Sequence, residues 1–411
     1  PGEPLRHLIL CIGDGMDLAH EIAYSRYRYG ENEALVWHRF PVRVPMTTWD
    51  VDTYNRYALA RHVPPYHEQD ADPRVGYDPR LGGKRPWPHA REDHRAYFLT
   101  PLAAPTGGEK AVPATDSAAA ATAMATGIKT DAGNIAWAAG DAEGGERLTL
   151  AEIWRRHLRG AVGAVTTVPF NHATPAAFFV HNKNRHHYYT GRRGYAGRGL
   201  AEAMLLDFKP DVLIGAGHPL ETNPDWRWDR GYLSQAVYSQ VRAQPDLRVV
   251  EYQSGVPGGI ALRQAAARSM LAEQRLFGLF GGRWARRPGS IVKEDLFAPP
   301  MPVAGEEAPG FITTGEEDPS LAEASLVAMQ VLEARGRAWF LMVEGGDIDW
   351  ANHDNDYAWM IGAMAQFEEA VRAIISFVDE PDDDLTWENT LLIVTSDHAN
   401  GYLRFDAEAP A

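Results

Sequence analysis

The chain is expected to fold as an α/β protein, a three-layer sandwich in which helices flank a largely parallel central β-sheet. Two observations carry that expectation. Short apolar runs of strand length alternate with helical stretches, and each run ends beside a polar cluster. The 411 residues, 45% apolar and 10% aromatic, are enough for a large buried core and are assigned to one domain, 1–411.

The strand candidates, in order, are Leu8 to Ile12, Ala161 to Val168, Val212 to Ile214, Trp339 to Val343 and Leu391 to Thr395. The first runs into GDGMD with Asp14, the second into NHATP with His172 and Thr174, the fourth into EGGDIDWANH with Glu344, and the last into SDH with Asp397 and His398. Ligands of open α/β sheets bind at the carboxyl ends of the strands, so these distant groups are expected to converge. Two stretches break the pattern. From about 42 to 110 the texture is Pro, Tyr, Trp, His and Arg, which reads as a long surface excursion. From about 217 to 310 a second irregular region is expected, forming a cap or an interface.

Thr115 to Ile135 is the most informative stretch. It sets Ser117 immediately ahead of an alanine-rich run with strong helix propensity. A serine there faces free amide donors and the positive end of the helix dipole, a place that attracts phosphate to a hydroxyl able to attack it. Taken alone, such a serine is more often a helix cap.

The net charge of −15, from 40 Lys and Arg against 55 Asp and Glu, argues against a nucleic-acid-binding surface and favours cations as partners of clustered acids. The single Cys11 excludes an intrachain disulfide and a multi-cysteine zinc site, so a metal must be held by His, Asp, Glu or hydroxyls. No apolar run approaches the roughly 18 to 20 residues of a transmembrane helix. The opening at Pro1, without a methionine or signal-peptide core, reads as a processed or trimmed terminus. No GxxxxGK[ST] loop occurs and no GxGxxG follows the first strand, which leaves nucleotide-binding folds without support.

Metal-ligand spacing is sharpest in MVEGGDIDWANHDND. Asp349 and His353 are four apart and share one helix face, while Glu344 sits at the preceding strand end. An isolated i,i+4 Asp/His pair is usually a surface contact, and Asp14 alone is more often a turn former. Their joint occurrence with SDH and with a serine at a helix start is what points to a site.

With these pieces in this order, from IGDGM through TDSAAAATAMATG to TSDHANG, the chain resembles the alkaline phosphatases. The resemblance implies the alkaline-phosphatase-like sandwich and a phosphomonoesterase working through a phosphoserine at Ser117, with Asp116 holding the substrate arginine, Arg185. It further implies two zinc ions, one on Asp349 and His353 and the other on Asp14, Asp397 and His398 with Ser117, and a magnesium ion on Asp14, Thr174 and Glu344. Phosphomonoesters are dianions with a poor leaving group, which is why paired cations and the guanidinium fork suit the reaction.

His172 and Trp350 stand where the best-known bacterial members carry an acid and a lysine, resembling branches whose third metal site is altered. The family also supplies the first zinc with a histidine well beyond SDH, whereas Ala411 lies thirteen positions after His398. A truncated sequence, an incomplete site and a substitute histidine are all compatible with that. By the same resemblance the protein is expected to be periplasmic or extracellular, a homodimer, and active at alkaline pH on small phosphomonoesters. A phosphodiesterase or sulfatase of the same superfamily, and a catalytically weak phosphate- or metal-binding protein, are the alternatives.

Overall fold

The computed structural model describes residues 5–44, 48–61, 65–68, 115–218, 231–281, 317–380, 384–400 and 403. Seven strands form one parallel sheet: β1 (His7–Gly13), β2 (Ala161–Pro169), β3 (Val212–Ala216), β4 (Leu247–Glu251), β5 (Arg275–Leu279), β6 (Trp339–Gly345) and β7 (Thr390–Ser396), in the order β4-β5-β3-β2-β6-β1-β7. All six pairings are parallel. β1 is thus flanked by the two strands furthest from it in sequence, with Ile12 level with Glu344 on one side and Thr395 on the other.

The principal helices are α1 (Leu18–Tyr29), α2 (Val51–Arg61), α3 (Ser117–Thr126), α4 (Leu150–Leu158), α5 (Ala173–Phe179), α6 (Gln235–Arg242), α7 (Gly258–Leu271), α8 (Leu321–Glu333), α9 (Asp347–His353) and α10 (Tyr357–Val378). They make two layers because strand side chains alternate between faces. Ile9 and Cys11 of β1 join the core beneath α1, α7, α8 and α10, whereas Leu8, Leu10 and Ile12 join the core beneath α3, α4, α5 and α6. A strand buried on both faces takes mostly apolar residues, and every residue of β1, β2, β3 and β6 is buried, the polar ones being His7, Thr166, Thr167 and Glu344.

Local signals set the helix ends. Asp116 caps α3 by accepting from the Ala118 amide, and Gly127, at φ 75°, closes it in the left-handed region that glycine enters freely. Capping boxes Thr149/Glu152 and Ser320/Glu323 open α4 and α8.

The five strand candidates read from sequence are β1, β2, β3, β6 and β7. Between 217 and 310, however, the chain is not irregular throughout: α6, β4, α7 and β5 occupy residues 235 to 279 and extend the sheet to its far edge. LRVVE carries charge at Arg248 and Glu251 and is only partly buried, so it leaves no buried apolar run, whereas RLFGL is buried from Leu276 to Leu279 and does carry one, set within a region of irregular texture. Within the other excursion, α2 is helical, and most of its remaining length lies outside the described residues.

Candidate active site

At the carboxyl ends of β1, β2, β6 and β7, four neighbours in the sheet, the polar clusters meet. Asp14 follows β1 in a turn completed by Gly15, whose φ of 67° lies in the left-handed region that glycine enters without strain. The Gly15 amide donates to Asp397 Oδ1 at 3.0 Å, and its carbonyl accepts from the Asn352 side chain at 3.3 Å and the Asn400 amide at 3.2 Å. One glycine therefore ties together the loops after β1, β6 and β7. A Cβ there would lie 2.8 Å from Asp349 Oδ1.

Ser117 is the first residue of α3 and is buried. Its Oγ lies 3.0 Å from His398 Nε2 and 3.5 Å from Asp14 Oδ1. His398 Nε2 is also 3.2 Å from Asp14 Oδ1 and 3.4 Å from Asp397 Oδ2. Asp14, Asp397 and His398 offer ligand atoms that all lie within 4.8 Å of one another.

The other nitrogen of His398, Nδ1, faces the Ala399 carbonyl at 3.2 Å, so a proton on Nδ1 leaves the Nε2 lone pair facing two carboxylate oxygens and a hydroxyl. A serine–histidine–carboxylate relay would instead put the carboxylate on the nitrogen remote from the serine. Oxygens crowded on one imidazole nitrogen suit a shared cation. Asp14 Oδ2, Asp397 Oδ2 and Glu344 Oε1 are likewise buried without a hydrogen-bond donor, as acceptors awaiting a cation would be. By donor chemistry, then, the cluster fits divalent metal ions.

The electrostatics agree. Burial first, then repulsion from Asp397 and Asp349, pushes the Asp14 carboxyl well above its ordinary value. Burial and the nearby Asp14 raise Glu344 to about 8, against the Thr166 and Thr174 hydroxyls that work the other way. Thr166, from inside β2, donates to Glu344 Oε2.

Asp349 and His353 lie on one face of α9 with Nε2 and Oδ2 3.4 Å apart, and the His353 ring stays 69% exposed at the rim. Asn400 donates to Asp349 Oδ1 at 2.6 Å. Burial would raise Asp349, but His353, His398 and Asn400 outweigh it and hold it low.

On the other side of Ser117, Asp116 Oδ1 accepts from Arg185 at 2.6 Å, while Oδ2 accepts from the amides of Ala118 at 3.0 Å and Gly133 at 2.9 Å. Burial would raise Asp116, but Arg185 and these amides more than offset it and keep it ionised below the usual range. A second Arg185 nitrogen sits 3.3 Å from His172 Nε2. Burial, then Arg185, lowers the His172 imidazole to about 3, so it stays neutral and accepts this bond. Trp350 packs edge-on against the His172 ring at 5.7 Å.

Every site residue read from sequence thus lies in or against this cluster. Thr166, Asn400 and the Gly133 amide were not read. Asn400 lay in plain view in SDHANG, whereas Thr166, in mid-strand, carried no signal.

Fold and cluster together define an α/β protein with a buried serine at a helix start, facing a carboxylate–imidazole centre of cation-binding type and flanked by a fixed guanidinium. More narrowly, the chain belongs to the alkaline phosphatase family, whose model, described as "Alkaline phosphatase", matches residues 95–225 and 307–407, more than half of the chain. Alkaline phosphatases 4 and 3 of Bacillus subtilis (strain 168) are 29% and 31% identical to it over 287 and 290 residues, which is 70% of this chain but 50% and 49% of theirs. The chain therefore spans about half the length of these curated relatives. Among solved structures, a cold-active alkaline phosphatase from Shewanella sp. shares the fold with a TM-score of 0.56 at 24% identity, covering 96% of this chain and 68% of that one. No helix among the described residues is long and apolar enough to cross a membrane.

Proposed function

We propose that this site hydrolyses phosphate monoesters to alcohol and inorganic phosphate through a phosphoserine at Ser117, fastest at alkaline pH. The observation that carries the reading is the position of Ser117 Oγ, which is at a helix N-terminus and 3.0 Å from a His398 nitrogen shared with two carboxylates. Arg185 takes two phosphoryl oxygens in its fork and Asp116 fixes its plane, so the phosphorus is presented in line with Oγ. Attack forms the Ser117 Oγ–P bond and breaks the P–O bond to the alcohol, which leaves with a proton. Water then adds to phosphorus, the Oγ–P bond breaks, and Ser117 recovers its proton. The helix amides and Arg185 stabilise the charge on the transferring group in both steps.

We assign two zinc ions to the residues named from the family resemblance, Asp349 with His353 and Asp14 with Asp397, His398 and Ser117, and a magnesium ion to Asp14, Thr174 and Glu344. When bound, these cations would lower the pKa of the attacking hydroxyl and supply positive charge to the attacking and leaving oxygens. Neutral His172 adds no charge to the third site, which favours weaker or exchangeable magnesium. Metal analysis of protein refolded with each ion tests the assignment, and a zinc content unaffected by Asp397→Ala would overturn it.

The decisive experiment is p-nitrophenyl phosphate turnover at about pH 9 with supplied zinc and magnesium, comparing the chain with Ser117→Ala. Loss of turnover and of a trappable phosphoserine is expected. Undiminished turnover in the variant refutes the reading, and faster hydrolysis of diesters or sulfate esters shifts it to another member of the superfamily. Export and dimerisation are part of the same proposal. Sedimentation of the purified chain as a monomer at micromolar concentration would remove the latter.

A further inference from the structure

The segments that enter β2 to β6 at the amino ends of the strands surround a cleft of about 450 Å³. β2 alone is nine residues long, so the cleft is roughly 25 to 30 Å from Ser117, at the other end of the sheet. Cations crowd it. Asp211, just ahead of β3, receives Arg337 at 2.9 Å, Arg155 at 3.2 Å and Arg335 at 3.7 Å, and Arg275 pairs with Asp246 at 2.9 Å. Arg159 and Lys209 complete the charged lining; neither has a carboxylate at ion-pair distance among the described residues, though, against the effect of burial, Lys209 is near enough to Asp246 to help Arg275 hold its carboxyl low.

Five lining cations face two lining carboxylates, in a chain whose net charge is −15. The excess has an ordinary explanation in part. Arg155 donates to the carbonyls of Phe208 and Lys209, and cations suit helix carboxyl ends. That accounts for Arg155 but not for the backbone of the two unpaired residues. Arg159 closes α4 at φ 50°, ψ 29°, and Lys209 closes the π-helix Ala203–Phe208 at φ 60°, ψ 69°. Both are left-handed positions, where glycine or asparagine fits with less strain. Left-handed non-glycine residues occur elsewhere in the chain as well, but these two caps border one cleft and each puts a long basic side chain beside it.

We propose that this cleft is a second anion site, separate from the catalytic centre, that binds a small molecule carrying at least two phosphoryl groups. A net excess of three positive charges among the lining side chains matches a diphosphate.

The test is calorimetric titration of the full chain, dialysed free of divalent ions, with methylenediphosphonate, in an Arg185→Ala background, so that neither cations nor the guanidinium hold the ligand at the catalytic site. One binding event is expected to remain there, weakening as salt is added. Adding Arg159→Gly and Lys209→Asn should weaken it roughly tenfold or more, while the melting temperature holds or rises, because these residues fit left-handed backbone better. Binding undiminished by the two substitutions, no binding in the Arg185→Ala background, or loss of binding accompanied by a falling melting temperature would each overturn the proposal. Comparison with α,β-methylene-ADP separates the two sources of such an anion: tighter binding identifies a nucleotide, equal binding an inorganic diphosphate.

Discussion

Replacing Asp116 should disturb three things at once, and the structure gives each a size. In Asp116→Ala the cap of α3 is lost, worth about 1 kcal/mol. The Gly133 amide, held at 2.9 Å, loses its acceptor at a cost of about 1 kcal/mol. Arg185, only 15% exposed and 2.6 Å from the carboxylate, is left without its counter-charge, at a further ~1–2 kcal/mol. The sum is about 3–4 kcal/mol of unfolding free energy. In Asp116→Asn the amide oxygen keeps the cap and the Gly133 bond but turns an NH₂ toward a guanidinium, so the loss should be about 1–2 kcal/mol. Urea denaturation of both variants, of Arg185→Met, and of the Asp116→Asn/Arg185→Met double mutant would isolate the pair, with an expected coupling of about 1–2 kcal/mol. Asp116 has its pKa depressed in the fold, so its contribution is present above the unfolded value near 3.8 and fades only as pH falls through the lower folded value. The coupling should accordingly be the same at pH 8 and pH 5. A coupling under about 0.5 kcal/mol, or one halved by pH 5, would refute this account of how Arg185 is held.

Two further predictions rest on single residues. His7, buried against Trp339 with ring centroids 4.7 Å apart, is lowered to about 4 by burial and then by Arg6. The unfolded chain therefore takes up a proton at His7 as pH drops from about 6.5 to about 4 while the folded chain does not, and stability falls across that window. His7→Phe should keep the packing and remove roughly 1–3 kcal/mol of that loss, less than the full linkage value because solvent screens Arg6. Equal pH slopes in the two proteins by chemical denaturation would contradict it. Gly15→Ala combines a left-handed alanine with a Cβ 2.8 Å from Asp349 Oδ1, and should cost about 2–4 kcal/mol and weaken metal retention. Unchanged stability and metal content on dialysis would count against the glycine's place in the site.

What could be read from sequence follows physical lines. β1 and β6 were legible because strands buried on both faces leave long apolar runs, β2 because its run is interrupted only by Thr166 and Thr167, and α3 because its alanines sit between Asp116 and Gly127. β4, at the sheet's far edge, mixes charge with apolar residues and carries no such run, whereas β5 carries one, Leu276 to Phe280, hidden between irregular stretches. Within the site, acids and histidines at strand ends stood out, but only the family resemblance singled out Arg185. In HNKNRHHYY it reads as a surface arginine, and what holds it in the site is its bond to Asp116, sixty-nine positions away. The crowding of His398 Nε2, the contact that argues for a cation, is tertiary and has no sequence signature.

The place of β1 between β6 and β7 has a consequence for the chain as it is made. More than three hundred residues separate Gly13 from Trp339, so at roughly 5–20 residues per second the first strand emerges on the order of half a minute before either neighbour exists. Until then β1 has neither neighbouring strand to pair with, even though β2 to β5 are already made, and closing so long a loop delays the pairing further. During that interval the nascent chain exposes a sticky, unpaired strand that a ribosome-associated chaperone would have reason to shield. Asp14 meets Asp397 only when the last strand docks, so a polypeptide released before β7 lacks Asp397 and His398 and leaves Asp14 and Ser117 without the partners that close the cluster.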